Sequence, residues 1–419
     1  MSVPFTLTPG PREGDRPEPG SAEVDGVRLG VPVTVRTPAT SANLGPGFDS
    51  LGLALALYDQ IEVVALPATA SARPVEVHVE GEGAGVVPCD EHHLVVRAIR
   101  AGLEHAGAGR PALVLRCRNV IPHGRGLGSS ASAVVAGLVA ARGLVAGPAP
   151  LDDATLLRLA TAFEGHPDNA AAALLGGFTV SWTESGPGPL DGEPTRAAQP
   201  FQADPGGTAL PHPVPATVAG APGGDARVLK GDAGVLKGDA GAPGRDAGLP
   251  DARAITVPVH PDVRVVACVP ERELATSVAR KMLPAEVPHA DAAFNAGRTA
   301  LLVEALSRRP HLLLPATADR LHQCQRATAM PDSARLVRAL RSAGVAAVIS
   351  GAGPTVLALG TGDGLQAQVA EVLDRLVGGH DGGTHEGTHE GGPAAPRWQT
   401  LLLTIDTIGA TVVTESVDR

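Results

Sequence analysis

Apolar residues recur at every third or fourth position over residues 93–105, 129–142, 152–163, 170–175, 290–307, 317–325, 333–343 and 364–376, a period that predicts helices. Short runs rich in Val, Ile and Thr at 31–36, 60–66, 75–80, 112–119, 178–182, 255–258, 263–269, 345–349, 356–359 and 400–405 predict strands. The two types do not alternate one for one. The pattern therefore argues for an α+β protein and against a plain doubly wound parallel sheet.

The pattern lapses in three places. Residues 1–30 are charged and rich in Pro and Gly, with no apolar period, and read as a disordered leader. Residues 183–252 contain the tandem repeat VLKGDAG–VLKGDAG in a background of Gly, Pro and Asp. So short and polar a repeat has no face to bury, and the stretch reads as a low-complexity insertion. Residues 378–396 carry GGHDGGTHEGTHEGG, where the glycines favour a solvated loop over a metal site. With these set aside, roughly 300 residues remain, enough for two domains of ordinary size. They are expected at 31–182 and 253–419.

Composition narrows the partners. Aromatic residues make up 2% of the 419, so the core must be built from Ala, Val and Leu, and platforms for stacking bases are scarce. A formal net charge of −10 also disfavours nucleic acid, whose phosphates are bound by clustered Lys and Arg. No apolar run is long enough to span a bilayer, and the start lacks a basic segment followed by an apolar one. A cytoplasmic protein with a small-molecule partner is expected. Cys89, Cys117, Cys268 and Cys324 are too dispersed for a zinc knuckle or a redox pair and read as buried free thiols.

Candidate chemistry starts at PHGRGLGSSASAVVAGLVAA, where Gly124, Gly126 and Gly128 precede two serines and then a helical run. Glycines at a helix start leave unpaired N–H groups and the positive helix end open to a phosphate, and serine hydroxyls can reach a phosphate oxygen or a metal. An ordinary glycine turn capped by Ser129 would look similar. There is no Gly-Lys-Ser/Thr, and no acidic residue follows at the spacing a dinucleotide site requires.

Three further polar, glycine-rich segments lie in apolar surroundings: TPATSANLGPGFDSLGLAL from Thr37, EGHPDNAAAALLGGF from Glu164 and ISGAGPTVLAL from Ile349. With Pro38–Asn43, Pro122–Ala131 and Gly351–Thr355 in this order, the chain resembles the GHMP small-molecule kinases. The wording of the first segment is similar to the branch that acts on L-homoserine. The resemblance implies an α+β GHMP kinase fold, with a ribosomal protein S5 domain 2-like N-terminal domain, a ferredoxin-like C-terminal domain and the active site in the crevice between them. It implies ATP and L-homoserine as ligands and Mg²⁺ as the metal. It is compatible with a homodimer.

Residue by residue, the resemblance implies ATP binding by Pro122, His123, Gly124, Arg125, Gly126, Leu127, Gly128, Ser129, Ser130, Ala131 and Ser132. Ser130 and Glu164 would hold the metal. Asn169 would present the substrate hydroxyl, with Asp168 and Arg326 as further catalytic residues, so that positioning replaces a strong side-chain base. Asn43, Asp49, Arg280 and Arg326 would bind the amino acid, Asp49 facing its ammonium and the arginines its carboxylate. The chain departs from the family at Cys324–Gln325, where Pro-Tyr is usual, and at His92–His93, where Asn usually precedes Leu-Val at the adenine pocket. His123 and His166 lie within the motifs, but phosphoryl transfer calls for no titrating group. A GHMP kinase for another hydroxylated metabolite and an inactive GHMP fold are the competing readings.

Overall fold

The computed structural model describes residues 22–68, 74–147, 151–184, 248–378 and 397–414. In chain order the first half gives β1 (Ala22–Val24), β2 (Val27–Leu29), β3 (Pro32–Asn43), β4 (Gly47–Leu66), β5 (Val75–Gly81), α1 (Leu94–Ala106), β6 (Ala112–Asn119), α2 (Ser129–Leu144), α3 (Asp153–Glu164), α4 (Asp168–Leu175) and β7 (Phe178–Glu184). The second gives β8 (Asp251–Val257), β9 (Val263–Pro270), α5 (Thr276–Lys281), α6 (His289–Ser307), α7 (Leu313–Ala316), α8 (Gln323–Arg326), α9 (Pro331–Ser342), β10 (Ala346–Ile349), β11 (Val356–Thr361), α10 (Leu365–Gly378), β12 (Trp398–Leu403) and β13 (Thr411–Thr414).

A seven-stranded mixed sheet runs β13-β3-β4-β6-β5, with β7 on β4 and β8 on β7. Helix α2 is buried on nearly all sides, which suits its Ala, Val, Leu and Gly residues: Val134, Val135, Leu138 and Val139 join Ile99 and Leu103 of α1 and Leu156 and Leu157 of α3 in one core. The second half forms a four-stranded antiparallel sheet, β10-β11-β9-β12, in a βαββαβ order that is the ferredoxin-like arrangement. The alternation in VRVVACVP divides β9 between two cores. Val263, Val265, Ala267 and Val269 face α6 and the start of β4, whereas Val266 and Cys268 face α9 and α10. The first of these clusters includes Leu51, Leu53 and Phe178 and so packs the two sheets together. Each fully buried Val or Leu contributes about 1.5–3 kcal/mol.

Several expectations need correction. Order begins before Val31: β1 and β2 form a hairpin, and Val27 and Leu29 are buried, so the leader ends no later than residue 21. Thr183 and Glu184 complete β7, and β8 starts at Asp251 with Ala252 buried, so both edges of the expected insertion belong to strands. Strands β8 and β13 join the first sheet, so 253–419 is not a separate chain-continuous domain. Of the expected helix 317–325, residues 317–322 form the loop between α7 and α8, and only 323–325 are helical. Cys117 and Cys268 are buried, but Cys89 and Cys324 are exposed. Residues 1–21, 185–247 and 379–396, which hold most of the leader and of the two insertions, lie outside the described residues.

Candidate active site

The polar motif from Thr37 is a long hairpin: β3 and β4 pair from Pro32 to Asn43, with irregularities at Pro38/Ala39 and Ala42/Asn43. Its turn places Asn43, Leu44 and Asp49 at φ of 68°, 50° and 53°, left-handed values that are rare outside glycine. The Asn43 amide holds this shape. Nδ2 donates to the Gly351 carbonyl at 2.8 Å, and Oδ1 accepts from the Asp49 N–H at 3.0 Å. The late glycine turn is thus tied to the first motif across 308 residues.

The phosphate-type loop enters α2 through Gly128, whose φ is 70°. A Cβ there would lie 1.9 Å from Thr40 Oγ1, and one at Gly126 would lie 2.4 Å from the Ser350 carbonyl, so both positions require glycine. The first residues of α2 have no side-chain cap, which leaves their N–H groups facing the cavity.

This cavity of about 440 Å³ is lined by Gly124, Gly126, Gly128, Ser129, Ser130 and Ala131 on one wall. Asn43, Asp49, Glu164, His166, Asp168, Asn169, Arg280 and Arg326 line the others. A second cavity of about 300 Å³ shares Ser129 and Ser130 and runs between Ile61, Val87, Pro88, His93, Leu94, Val95 and Ala133. One end of the loop therefore adjoins a largely apolar slot and the other a highly polar chamber.

In the polar chamber, Ser130 Oγ donates to Glu164 Oε1 at 2.7 Å. Burial pushes the Glu164 carboxyl up, against the opposing pull of Ser130 and His166. Asp168 is buried, and its Oδ1 gathers the Asn169 N–H at 2.7 Å, Asn169 Nδ2 at 3.3 Å and His166 Nδ1 at 2.6 Å. Burial opposes charge on His166, but the hydrogen bond and charge of Asp168 outweigh it and raise its pKa. Asn169 Oδ1 also accepts from Thr40 Oγ1 at 2.7 Å, which fixes the amide orientation.

Asp49 and Arg280 form a forked ion pair, at 2.8 Å from NH2 to Oδ1 and 3.3 Å from NH1 to Oδ2. Phe48 lies beneath both arginines, its ring centre 5.8 Å from the Arg280 guanidinium and 5.4 Å from that of Arg326. Arg326 is only 2% exposed. Its Nε donates to the Ala279 carbonyl at 3.2 Å and its NH1 to Gly351 O and His322 Nδ1, both at 3.3 Å. Since Nδ1 accepts, His322 carries its proton on Nε2 and donates it to the Gly45 carbonyl at 2.7 Å.

The residues singled out in the sequence thus fall into two groups. Asn43, Asp49, Arg280, Arg326, Asp168, Asn169, Glu164, Ser130 and the loop glycines converge on one cavity. Other members of the loop do not. Leu127 is fully buried, and Ser132 Oγ donates to Thr37 Oγ1 at 2.7 Å beneath the surface. Arg125 donates to the carbonyls of Pro270, Glu271 and His123, so its side chain is engaged outside the cavity. Pro122 faces a separate cleft beside Trp398, and His123 borders the apolar slot. Thr40 and Phe48 were not singled out by the sequence. Both sit inside the first motif, but nothing in its spacing reveals that their partners lie 129 residues away or more.

Comparison with known proteins matches residues 93–177 to the GHMP kinases N terminal domain and residues 292–378 to the GHMP kinases C terminal domain. A homoserine kinase of Mycolicibacterium smegmatis is 48% identical over 345 residues, covering 82% of this chain and 89% of that one. One of Streptomyces coelicolor is 46% identical over 347 residues, covering 83% and 88%. Among solved structures, homoserine kinase from Cytophaga hutchinsonii superimposes with a TM-score of 0.61 at 20% identity, over 91% of this chain and 97% of that one, a likeness of fold.

Proposed function

This chain belongs to the homoserine kinases of the GHMP kinase family, and on that premise we propose how its own residues carry out transfer of the γ-phosphoryl group of ATP to the hydroxyl of L-homoserine. The observation that carries the proposal is the shared cavity, in which the uncapped start of α2 faces the Asp49–Arg280 pair across Glu164 and Asn169.

The nucleoside takes the apolar slot between Val87, Pro88 and Leu94, and the polyphosphate crosses Ser129 and Ser130 into the polar chamber. Backbone N–H groups of the glycine loop and the positive end of α2 hold the phosphates. Hard oxygen donors in hydrogen-bond contact suit Mg²⁺, so Ser130 and Glu164 would hold it, and it would offset charge on the β- and γ-phosphates.

The amino acid lies on the opposite wall, with its ammonium at Asp49 and its carboxylate at Arg280. Arg326, with Nε and NH1 already bonded to neighbouring groups, adds a positive field there and joins the Ala279 and Gly351 segments. Asn169 Nδ2 orients the acceptor hydroxyl. Asp168 acts through Asn169 and His166 as a positioning residue, because three donors occupy the oxygen facing them. Transfer thus relies on alignment and charge stabilisation, and the hydroxyl proton leaves with the phosphoryl oxygens or to water. The product, O-phospho-L-homoserine, places the reaction in L-threonine biosynthesis, and ATP as donor is consistent with the cytoplasm.

The test is turnover by the purified protein with Mg·ATP and a panel of L-homoserine, L-serine, L-threonine and mevalonate, followed by ³¹P NMR. Formation of a phosphomonoester of homoserine with the highest kcat/KM of the panel is expected. Turnover of another member with none of homoserine would overturn the reading.

A further inference from the structure

The two residues that meet the charged ends of the amino acid are bound to each other. Asp49 and Arg280 share two contacts, at 2.8 and 3.3 Å, and their side chains are 34% and 38% exposed toward the cavity. A ligand that used both would have to part them. We propose that the Asp49–Arg280 pair is an exchange lock: a zwitterion opens it by replacing one ion pair with two, and a ligand carrying only one of the two charges is excluded. This inference rests on the assignment of Asp49 and Arg280 to the amino acid made above.

The surroundings give the lock a fixed and a moving half. Asp49 is held by its N–H to Asn43 Oδ1 on a left-handed turn, and Asn43 is itself tied to Gly351. Arg280 projects from α5, a six-residue helix without a side-chain cap, on which Thr276, Ser277, Val278 and Lys281 are exposed. Fewer contacts hold α5 than hold the hairpin, so Arg280 is the half that yields. The Phe48 ring beneath both guanidinium groups gives Arg280 an apolar surface to move across.

Charge accounting supplies the selectivity. The chamber also contains Asp168, engaged by His166 and Asn169, and Arg326, engaged by backbone carbonyls and His322. Arg326 keeps its charge but has Nε and NH1 bound to neutral groups, and His166 is hydrogen-bonded to Asp168, so neither replaces the two direct bonds that a partner released from the lock loses. A lone carboxylate that captures Arg280 leaves Asp49 without its directly bonded partner, and a lone ammonium at Asp49 does the same to Arg280. An unpaired, partly desolvated charge is costly, so each half-ligand is penalised, and the zwitterion escapes both penalties. The amino and carboxylate groups of the substrate are therefore recognised jointly, not as two independent contacts.

The experiment compares L-homoserine with its two half-analogues, 4-hydroxybutanoate and 3-aminopropan-1-ol, as ligands measured by inhibition constant or KM at saturating Mg·ATP. Asp49→Asn is expected to weaken homoserine at least tenfold and to tighten 4-hydroxybutanoate at least threefold, because Arg280 is released. Arg280→Gln should do the mirror image, weakening homoserine and tightening 3-aminopropan-1-ol. Removing a negative charge would also favour any anion through the general field, and the double variant separates the two causes. In the Arg280→Gln background, Asp49→Asn should give no gain for 4-hydroxybutanoate, whereas a field effect would persist. Binding of a fluorescent ATP analogue reports that each variant is folded, and if Asp49→Asn is not, the Arg280→Gln arm decides alone. Half-analogues that bind the single variants no better than wild type, or a gain that survives in the double variant, would overturn the lock. Homoserine binding unchanged in both single variants would instead overturn the underlying assignment of these residues.

Discussion

Thr40 Oγ1 donates a 2.7 Å hydrogen bond to Asn169 Oδ1 and so joins the first strand of the hairpin to the start of α4. The bond leaves the Asn169 amide one orientation, with Nδ2 toward Asp168. Thr40→Val keeps the shape of the side chain and removes the donor, so the amide can rotate. The half-buried acceptor left unpaired costs at most about 1–3 kcal/mol. Steady-state kinetics should show kcat reduced roughly tenfold, corresponding to about 1.4 kcal/mol of barrier, with KM for ATP nearly unchanged. An unchanged kcat would remove Thr40 from the positioning network.

Glu164→Gln keeps a hydrogen-bond partner for Ser130 but removes the carboxylate charge. Loss of a hard anionic oxygen weakens Mg²⁺ far more than it weakens the helix. The free Mg²⁺ concentration giving half-maximal rate should rise by about 10–100-fold, a range typical of perturbed metal sites. A rate curve against Mg²⁺ that superimposes on wild type would exclude Glu164 as a ligand.

Burial pushes the thiols of Cys117 and Cys268 up to about 12, whereas Cys89 and Cys324 are exposed. Because the thiolate is the reactive form, the folded protein should consume two equivalents of a thiol reagent quickly at pH 8, and four after denaturation. Rapid loss of all four in the native protein would contradict the packing of β6 and β9.

The buried pair of Asp319 and His322 makes stability depend on pH. Burial lowers the His322 pKa and keeps the ring neutral, bonded to Gly45 and Arg326. Burial alone would raise Asp319, but hydrogen bonds from the Asn295 amide and the N–H groups of Gln323 and Leu321 outweigh it and lower its pKa. Below about 6.5 the unfolded chain takes up a proton at this histidine that the native state refuses, so stability falls with pH there, by up to about 1.4 kcal/mol per pH unit. The Asp319 contribution is present above its unfolded pKa and is lost at lower pH, as the solution passes through the depressed folded value. Thermal melts between pH 7.5 and 5.5 should therefore show a shallower decline for His322→Gln than for wild type. Parallel curves would rule out His322 as a source.

The sequence carried the α+β class, the glycine loop and most of the converging residues, because each lies in a motif whose local geometry is set by its own residues. Gly126 and Gly128 stand at φ of 80° and 70°, a local demand for glycine, although the clashes a Cβ would meet there come from the distant Ser350 and Thr40. Relations made by tertiary pairing were not legible. The TSANLGPGFDSLGLAL segment is polar and glycine-rich and shows no run that predicts a strand, yet it forms strands that find partners in β7 and in each other. Arg125 and Ser132 stand within the loop motif, but their side chains turn toward Pro270 and Thr37, positions that spacing along the chain cannot reveal. The same holds at the insertion: β7 and β8 pair, so removing Thr183–Ala252 entire would take strand residues and the buried Ala252, and loss of stability is expected.

The central claim is that Asn169, held by Thr40 and Asp168, aligns the acceptor hydroxyl with the phosphate loop. The most direct test is kcat for Asn169→Ala with L-homoserine and Mg·ATP, with both KM values measured alongside. Misplacement of a reacting group by about 1 Å costs on the order of 100-fold, so kcat should fall at least that far while KM for Mg·ATP stays within about twofold. A kcat within about twofold of wild type would contradict the account.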